Sequence, residues 1–419
     1  MTTPTQAAPG RSEAVVLIIA ALIAIYGISQ FLRSSVGVIA SDLARELGLS
    51  ATEIGLLSSA FFFSFAAAQI PVGIAIDRYG PKRTMVTTAS LAIAGTVLFA
   101  VAPSPGLLIV ARILMGLGCS TFFMAPLAIY ARRFPPERFA LLTSLQMGFA
   151  NLGTLGATAP LAAAAASIGW RGSFLGVAVL TAVFLVLVIV VVPGDRLAGQ
   201  ARESWADAVR GVGRAVRVRS FWPVFFAHLT AYSSFATVVG LWAGPWLSDA
   251  YGVDLSLRGT LILVGAAAQI AGLFAWGPTD RWARSYRIPV LIGGGATVLL
   301  LAIPALVPLG LGAAVVWLGI FGFVAAFTPI LTAHGKALFP RELTGRGITL
   351  MNIGAIGGTF LSQSVTGVLV DLVGRAPGGG YPPLAYQVVF GALALWLLLS
   401  LVFYARAGDP HPSHAPGVS

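Results

Sequence analysis

Long apolar stretches, separated by short polar or Gly/Pro-rich segments, run along almost the whole chain. A helix of about 20 apolar residues crosses the hydrocarbon core of a bilayer. Because the stretches are continuous and do not alternate between apolar and polar positions, they predict helices and not the strands of a membrane β-barrel. Twelve predicted spans cover residues 14–40, 53–76, 84–102, 107–131, 139–165, 172–192, 221–247, 258–278, 288–307, 311–334, 347–372 and 385–405.

One long polar segment divides the predicted spans into two groups of six. Trp205, Val209, Val212 and Val216 recur within it at helical spacing, which predicts a short amphipathic helix on the inner membrane surface. The predicted division is an N-terminal bundle of residues 1–192, a cytoplasmic linker of residues 193–220, a C-terminal bundle of residues 221–405, and a disordered cytoplasmic tail of residues 406–419.

Short motifs recur in the two halves at offsets of roughly 200 residues, which favours two related bundles. The recurring pairs are Phe134-Pro135 with Phe339-Pro340, Glu137 with Glu342, Gly153-Thr154 with Gly358-Thr359, and Asp77-Arg78 with Asp280-Arg281.

Composition excludes a water-soluble protein. Of the 419 residues, 57% are hydrophobic and only 10% are charged, whereas soluble domains carry about 25% charged residues. Intrinsic disorder is excluded by the same figures, because disordered chains are poor in apolar residues. The chain is therefore interpreted as an all-α membrane protein.

The basic residues are unevenly distributed between the two sides of the predicted membrane. If the N- and C-termini are cytoplasmic, roughly three quarters of the Lys and Arg residues face the cytoplasm, as the positive-inside rule expects. This bias accounts for the net charge of +11 without nucleic acid as a partner. It predicts a multi-pass protein of the cytoplasmic membrane. Arg45, Arg171, Arg258 and Arg375 face outward, and Arg33 and Arg112 fall inside predicted helices.

The loop between the second and third predicted spans carries a recognisable motif. It reads Gly73-Ile-Ala-Ile-Asp77-Arg78-Tyr79-Gly80-Pro81-Lys82-Arg83. This resembles the signature loop of the major facilitator superfamily of transporters, and Gly277-Pro-Thr-Asp280-Arg281 resembles its shorter copy in the second half. Arg112, followed by Gly116 and Gly118, resembles the second motif of that superfamily.

The resemblance implies twelve transmembrane helices in two six-helix bundles that rock about a central substrate site. It also implies a conformational latch, in which Asp77 docks against the start of the eleventh helix near residues 345–347. A carboxylate is favourable there because the N-terminal end of a helix is electropositive. Gly73 would permit close helix contact and Gly80 a tight turn. The predicted latch comprises Gly73, Asp77, Arg78, Gly80, Lys82, Arg83, Asp280 and Arg281. The alternative for the basic residues is that they only set topology.

Charges within the spans point to an anionic substrate. No carboxylate falls in the middle of a predicted span, whereas Arg33 and Arg112 do, so a cavity lined by them is positive. Tyr26, Gln30 and Arg33 share one helix face. The alternatives are that Arg33, about two turns from the predicted helix end, reaches the outer headgroups, and that Arg112 only bonds neighbouring helices.

The first helix is also similar to that of organic-anion symporters of this superfamily, in which an Arg at the matching position reads the anionic group of the substrate. The resulting prediction is a secondary transporter of a small organic anion, most simply a carboxylate, that works as a monomer. The predicted substrate-binding residues are Arg33, Tyr26, Gln30, Arg112, His228, Tyr232, Thr237 and Trp242.

The sequence leaves the coupling ion open, together with two alternative functions. His228 is the candidate proton carrier, because histidine titrates near neutral pH; proton or sodium coupling stays open. No nucleotide-binding loop, metal-ligand cluster or catalytic arrangement is present, so the chain is predicted to be neither an ATP-driven pump nor an enzyme, and to need no cofactor or metal. One alternative is an exporter of drugs or metabolites. Another is a sensor or assembly factor that uses the fold without transport.

Overall fold

The computed structural model describes residues 11–195, 205–340, 343–377 and 379–410, and these residues form helices without any β-strand. The helices are α1 (Arg11–Leu47), α2 (Ala51–Tyr79), α3 (Pro81–Val101), α4 (Pro105–Cys119), α5 (Met124–Arg133), α6 (Pro136–Ala150), α7 (Leu152–Gly156), α8 (Ala159–Val191), α9 (Trp205–Ala215), α10 (Phe221–Thr237), α11 (Ala243–Tyr251), α12 (Leu255–Trp276), α13 (Thr279–Ala283), α14 (Arg287–Leu306), α15 (Leu311–Val324), α16 (Thr328–Leu338), α17 (Thr344–Val373) and α18 (Pro383–Tyr404). A π-helical turn (Val238–Trp242) joins α10 to α11, and a 3-10 turn (Ala325–Phe327) joins α15 to α16.

The predicted all-helical membrane fold is confirmed. Within the described residues, 11 segments are long and apolar enough to cross a membrane. One of them, Glu137–Val191, has 55 residues, about 83 Å of helix, which is more than two hydrocarbon thicknesses of about 30 Å. Gly169, with φ 75°, interrupts it. The count of twelve spans and the cytoplasmic placement of both termini stay predictions, as does the division into domains.

The first helix is longer than predicted. It runs to Leu47 and not to residue 40, so Asp42 and Glu46 lie on the helix and not in a loop. Arg33 consequently lies about four turns, or 21 Å, before the helix end, and not two turns as the sequence indicated. This makes the outer headgroups harder for its side chain to reach.

The polar linker contains the predicted amphipathic helix, α9. Val212 and Val216 pack against the apolar core of the second half, while the side chains of Trp205 and Val209 lie outside the described residues. Helix α9 contacts α17, where the Arg346 side chain covers Gly211 so closely that a methyl group there would overlap it.

The two halves repeat one local structure where the Phe-Pro motifs recur. Phe134 follows α5 and Phe339 follows α16, and both have extended backbones, with ψ of 151° and 137°. The residue before a proline is pushed out of the helical region by the proline ring. The same dipeptide therefore ends the corresponding helix in each half.

A second repeated feature is a carboxylate that caps a helix of its own half. Asp195, just beyond α8, accepts hydrogen bonds from the backbone N–H groups of Lys82 (3.2 Å) and Arg83 (3.0 Å) at the start of α3. Asp409, just beyond α18, accepts hydrogen bonds from those of Tyr286 (3.1 Å) and Arg287 (3.4 Å) at the start of α14. Each carboxylate satisfies N–H groups that have no partner within the helix.

The first residues of the predicted tail contact the second half. Gly408 donates its N–H to Ser220 Oγ (2.9 Å), and its carbonyl oxygen lies 2.9 Å from His334 Nε2. These contacts and the Asp409 cap hold the segment up to Pro410 against the second half. Residues 411–419 lie outside the described residues.

The two halves contact each other near the end of the molecule where α2 begins. This end is called the Ser50 face. The opposite end, at the loop between α2 and α3, is called the Gly80 face. Asp371, at the end of α17, accepts hydrogen bonds from the N–H groups of Ala51 (2.9 Å) and Thr52 (2.7 Å). Arg375 donates to the Leu49 carbonyl at 2.7 Å. By charge distribution, the Ser50 face is the predicted outer one.

An ion pair between Asp42 of α1 and Arg258 of α12 crosses the same face. The sequence assigned Arg258 to an outward-facing position at the start of a span, but its side chain is only 1% exposed. The prediction treated it as a topology signal. It is instead a buried contact between the halves, which sequence spacing cannot reveal because its partner lies in the other half.

Glycines let the backbones of the halves touch at this face. A Cβ on Gly37 of α1 would lie 2.7 Å from the carbonyl carbon of Gly240, and one on Gly55 of α2 would lie 3.1 Å from the Cα of Gly367. Small residues allow such close helix approach in membranes. Gly244 and Pro245 lie within α11, and the irregularity in this segment is the π-helical turn just before them.

The Asp409 cap gives a prediction about pH. Burial opposes ionisation of Asp409, but hydrogen bonds from Ser285 Oγ and from the N–H groups of Tyr286 and Arg287 outweigh it, so the pKa of the carboxyl falls below its ordinary value of 3.8. The stabilisation is therefore complete above pH 3.8 and is lost as the pH falls through the lower folded value. Asp409→Asn should destabilise the protein at neutral pH by about 1 kcal/mol.

Unfolding at acid pH can be followed by the fluorescence of buried tryptophans such as Trp242. At neutral pH a thiol-reactive dye also reports unfolding, because Cys119 is the single cysteine and is buried. The gap in unfolding temperature between wild type and Asp409→Asn should close on acidification. Glu137→Gln, which removes an exposed carboxylate from the first turn of α6, should lower the unfolding temperature by less than Asp409→Asn, because solvent and salt screen its interaction with the helix end. A gap that stays constant into the acid range would contradict the cap.

Candidate functional site

Arg33 is a charged side chain inside the helical bundle without an acidic partner. Its guanidinium lies over the ring of Phe65, 4.3 Å from the centroid. Its Nε is buried and makes no hydrogen bond, and Arg33 forms no ion pair with any described residue. An unpaired charge at this depth is expensive, so its retention marks a functional candidate.

Polar side chains of both halves gather around Arg33. Tyr26, two turns away on the same face of α1, lies within electrostatic range of Arg33 and of Tyr232 from the second half. Gln30 donates a long hydrogen bond to Asn151 Oδ1 (3.4 Å), while its own Oε1 is buried without a partner. The structure thus brings together four of the predicted substrate-binding residues, with Tyr232 across the interface between the halves.

Two serines that the sequence reading did not single out belong to the same region of α1 and α2. Ser29 and Ser58 are fully buried. The Ser58 hydroxyl has no hydrogen-bond partner, and the Ser29 hydroxyl lies close to the Cys119 thiol. Ser29 precedes Arg33 by four residues and shares its helix face, so the spacing could have found it. Ser58 lies on α2, next to carbonyls that Arg112 binds, and no sequence signal indicates it.

Arg112 has a different environment from Arg33. It is fully buried, and its guanidinium donates to the carbonyl oxygens of Leu32 (2.7 Å), Leu57 (3.3 Å) and Ser58 (3.4 Å). It thereby fastens α4 to α1 and α2. This is the arrangement that the alternative reading of Arg112 expected. Its donors are largely used by the protein itself, so a substrate contact by Arg112 stays a prediction without support from this geometry.

Thr237, at the end of α10, and Trp242, in the π-helical turn, both form hydrogen bonds with side chains of α17. The Thr237 and Ser362 hydroxyl oxygens are 2.6 Å apart, and Trp242 Nε1 donates to Thr366 Oγ1 at 2.8 Å. Both side chains are at most 1% exposed. The structure therefore gives these two predicted substrate residues a packing contact within the second half.

His228 is buried in α10, where it lies close to the backbone of Leu331. The other histidine within the described bundle, His334, is fully bonded: its Nδ1 lies 2.7 Å from Tyr404 Oη and its Nε2 contacts Gly408. Of the two, His228 has at least one ring nitrogen without a partner. Its coupling role stays a prediction.

The predicted latch lies at the Gly80 face. Asp77 is 3.8 Å from Arg132 of its own half. Gly80 has φ 90°, and a Cβ there would collide with the Asp195 carboxylate, so glycine is required at this turn.

The close helix contact expected at Gly73 is not found. A Cβ at this position would meet nothing within 4 Å, so close packing does not explain this glycine.

The basic residues of the loop hold the end of α8. Lys82 Nζ donates to the carbonyl oxygens of Ile189 (2.7 Å) and Val192 (2.5 Å), while its N–H and that of Arg83 bind Asp195. Arg78 lies over the ring of Tyr79. In the second-half copy, Asp280 and Arg281 lie on the short helix α13. The loop thus has a local structural role beyond setting topology.

An apolar cavity of about 890 Å³ lies between α1, α6 and α8. Its lining includes Gly27, Ile28 and Phe31 of α1 but none of Tyr26, Gln30 and Arg33. It is therefore separate from the polar region around Arg33. The described residues contain no group of three or more His, Cys, Asp and Glu side chains placed to hold a metal ion.

The two arginines should respond differently to the same substitution. Arg112→Met removes three hydrogen bonds from a charged donor, each worth about 1.5–3 kcal/mol, and should lower the unfolding temperature strongly. Arg33→Met removes an unpaired charge and should leave the unfolding temperature equal or higher. The thiol-dye assay measures both. Equal losses for the two variants would show that Arg33 also has a structural role.

Comparison with known proteins agrees with this architecture. Residues 22–338 match the family model described as Major Facilitator Superfamily. A gentisate transporter of Corynebacterium glutamicum is 26% identical over 379 residues, covering 87% of this chain and 83% of the relative. A protein named as a probable sulfoacetate transporter of Cupriavidus necator is 29% identical over 161 residues, covering 38% of this chain and only 37% of that relative.

A solved structure shares the fold. A bacterial homologue of the human lysosomal transporter Spinster, in an inward-facing and unoccupied conformation, aligns with a TM-score of 0.74 at 17% identity, covering 94% of this chain and 97% of the other. The family match, which spans most of the chain, confirms the expectation from the loop motif. The chain belongs to the major facilitator superfamily and is a transporter.

Proposed function

We propose that the protein carries a small organic anion through the membrane by alternating access, with Arg33 as the residue that binds the anionic group. The observation that carries the proposal is the unpaired Arg33 guanidinium inside the bundle. An arginine in a dry site binds a carboxylate or sulfonate through two parallel hydrogen bonds. The relative named as a gentisate transporter supports an organic anion.

Neighbouring groups complete the proposed site. Gln30 Oε1 and Ser58 Oγ are buried polar atoms without partners, and buried polar atoms are usually hydrogen-bonded. A bound substrate with hydroxyl groups would satisfy them. Tyr26 and Tyr232, from different halves, would contact the same substrate and couple its binding to the rocking of the halves.

A thermal-shift panel tests the proposal. The panel pairs benzoate with its uncharged analogue benzamide, and adds gentisate, D-glucuronate, sulfoacetate and tetraphenylphosphonium. A ligand present at 100 times its Kd stabilises the folded state by about 2.7 kcal/mol. We expect at least one carboxylate to raise the unfolding temperature of the wild type and benzamide to have no effect.

Two variants of matched chemistry locate the binding site. Arg33→Met should abolish the stabilisation by anions. Arg138→Met removes an exposed arginine and should retain it. Stabilisation by tetraphenylphosphonium alone would favour the alternative of a lipophilic-drug exporter. An unchanged anion response in Arg33→Met would refute the assignment of the site.

We propose in addition that Asp77 is the latch of the Gly80 face. In this conformation it is close to Arg132, while the tight contacts between the halves described above lie at the Ser50 face. When the halves rock, Asp77 would leave Arg132 and meet the electropositive start of α17 near residues 345–347. The remaining loop residues would support this change of partner by holding the turn and the end of α8 in place.

The latch makes a kinetic prediction. Asp77→Asn loses about 1 kcal/mol of interaction with the helix end, so transport should slow by about fivefold. Stabilisation by the anion should be unaffected, because Asp77 does not contact the site. Glu137→Gln is the control. A weaker anion response in Asp77→Asn would place the residue in the substrate site instead.

A further inference from the structure

Helix α9 presents a row of arginines on its outer side. Arg210, Arg214 and Arg217 recur at intervals of four and three residues, and the N–H group of Arg217 donates to the Arg214 carbonyl at 3.3 Å, which continues the helical turn past Ala215. The three side chains therefore share one helix face. All three are exposed, as is Arg219. These four residues are called the arginine row.

The apolar side of α9 is occupied by the protein itself. Val212 and Val216 pack against the core of the second half, Ala215 is fully buried, and a methyl group on Gly211 would overlap Arg346 of α17. An amphipathic helix on a membrane ordinarily inserts its apolar face among the lipids. Because α9 turns that face to the protein, the side with the arginine row is the one left for a partner.

The arginine row lies at the level of the membrane surface. The next membrane span begins at Phe221, four residues after Arg217 and two after Arg219. Trp222, in the first turn of that span, is 48% exposed, and tryptophans at the ends of spans are typical of the headgroup region. Arginines at this level lie beside the phosphate groups of the leaflet.

The protein leaves most of this charge unbalanced. Arg214, Arg217 and Arg219 form no ion pair with any side chain that the structure describes. The positive-inside rule explains why basic residues lie on this side of the membrane. It does not explain why they stand on one face of a folded helix whose other face is packed against the protein.

We propose that α9 is a docking surface for anionic phospholipids, in which the arginine row binds the phosphate groups of the leaflet at the Gly80 face. Arginine binds phosphate through two parallel hydrogen bonds, and basic residues on a helix beside a membrane span are attracted to an anionic leaflet. The leaflet holds α9 in place and, through the contact of Gly211 with Arg346, the start of α17. The proposal is independent of Arg33 and of the substrate.

Lipid titration of the full-length protein in detergent micelles tests the proposal. The unfolding temperature is followed by tryptophan fluorescence while phosphatidylglycerol, or phosphatidylcholine as the lipid without net charge, is added. We expect phosphatidylglycerol to raise the unfolding temperature at concentrations where phosphatidylcholine does not, because a ligand of the folded state stabilises it. Sodium chloride at about 0.5 M should weaken the effect, because salt screens exposed charges.

Variants of matched charge locate the contact. Each arginine near an anionic surface strengthens binding by about fivefold, so Arg214→Gln/Arg217→Gln should raise the half-saturating concentration of phosphatidylglycerol by about thirtyfold. Arg214→Lys/Arg217→Lys keeps the charge and should restore most of the binding. Arg138→Gln/Arg406→Gln removes two exposed arginines outside the row and should change the half-saturating concentration far less. The unfolding temperature in phosphatidylcholine verifies that each variant is folded.

A fluorescent probe reports the same contact in a bilayer. Gly213 precedes Arg217 by four residues, and a Cβ there would meet nothing within 4 Å, so Gly213→Cys accommodates a bimane label once Cys119→Ser has removed the native thiol. In anionic vesicles, lipids that carry a nitroxide on the headgroup should quench the label. Adding Arg214→Gln/Arg217→Gln should reduce the quenching.

Three results would overturn the proposal. They are equal stabilisation by phosphatidylglycerol and phosphatidylcholine, a phosphatidylglycerol response that Arg214→Gln/Arg217→Gln retains in full, and a bimane label that headgroup nitroxides do not quench. Poly-L-glutamate that stabilises the wild type where phosphatidylglycerol does not would assign the row to an acidic protein instead. Neither assay involves the transported anion, so failure here leaves the proposed function untouched.

Discussion

The structure depends on one constraint: a charged or polar group inside an apolar bundle must have a partner. Arg112 meets it with backbone carbonyls of two other helices, and Arg258 with a carboxylate of the opposite half. In both cases the partner belongs to another helix, so the interaction that satisfies the arginine also holds helices together. Arg33 lies under the same constraint but has only an aromatic face beside it. This missing partner is the basis of the proposed site, because a substrate anion can supply it.

The Ser50 face shows how the same constraint holds the halves together. Arg45, Arg171, Arg258 and Arg375 are the basic residues that break the charge asymmetry of the sequence. Each is engaged at this face: Arg45 and Arg258 with Asp42, Arg171 with Glu46, and Arg375 with the Leu49 carbonyl. Basic residues on the predicted outer side, which the positive-inside rule disfavours, are thus tolerated where they bind other groups of the protein.

Local signals in the sequence were sufficient for the fold. Apolar runs predicted the helices and the Asp77 loop identified the family, while the anion site at Arg33 stays a prediction. Long-range partners escaped prediction, since spacing along the chain cannot show that Asp42 faces Arg258 or that Asp195 reaches α3. The length of α1 was underestimated because Asp42 and Glu46 look like loop residues until their arginine partners are known. The Asp409 contacts of the tail were missed because they are all made with distant helices.

The helix caps fall into two kinds: those that lie within one half and those that connect the two halves. At the start of α2, Ser50 and Glu53 cap each other's N–H groups, while Asp371 caps the next two from the opposite half. Rocking that opens the Ser50 face must release the Asp371 contacts. The caps made by Asp195 and Asp409 lie within their own halves and survive that motion. The caps by Asp195 and Asp409 therefore remain in place, and the Asp371 cap between α17 and α2 is the one that must be broken. The sequence prediction places Asp77 at the other end of that helix pair, where it can replace the contact that is lost.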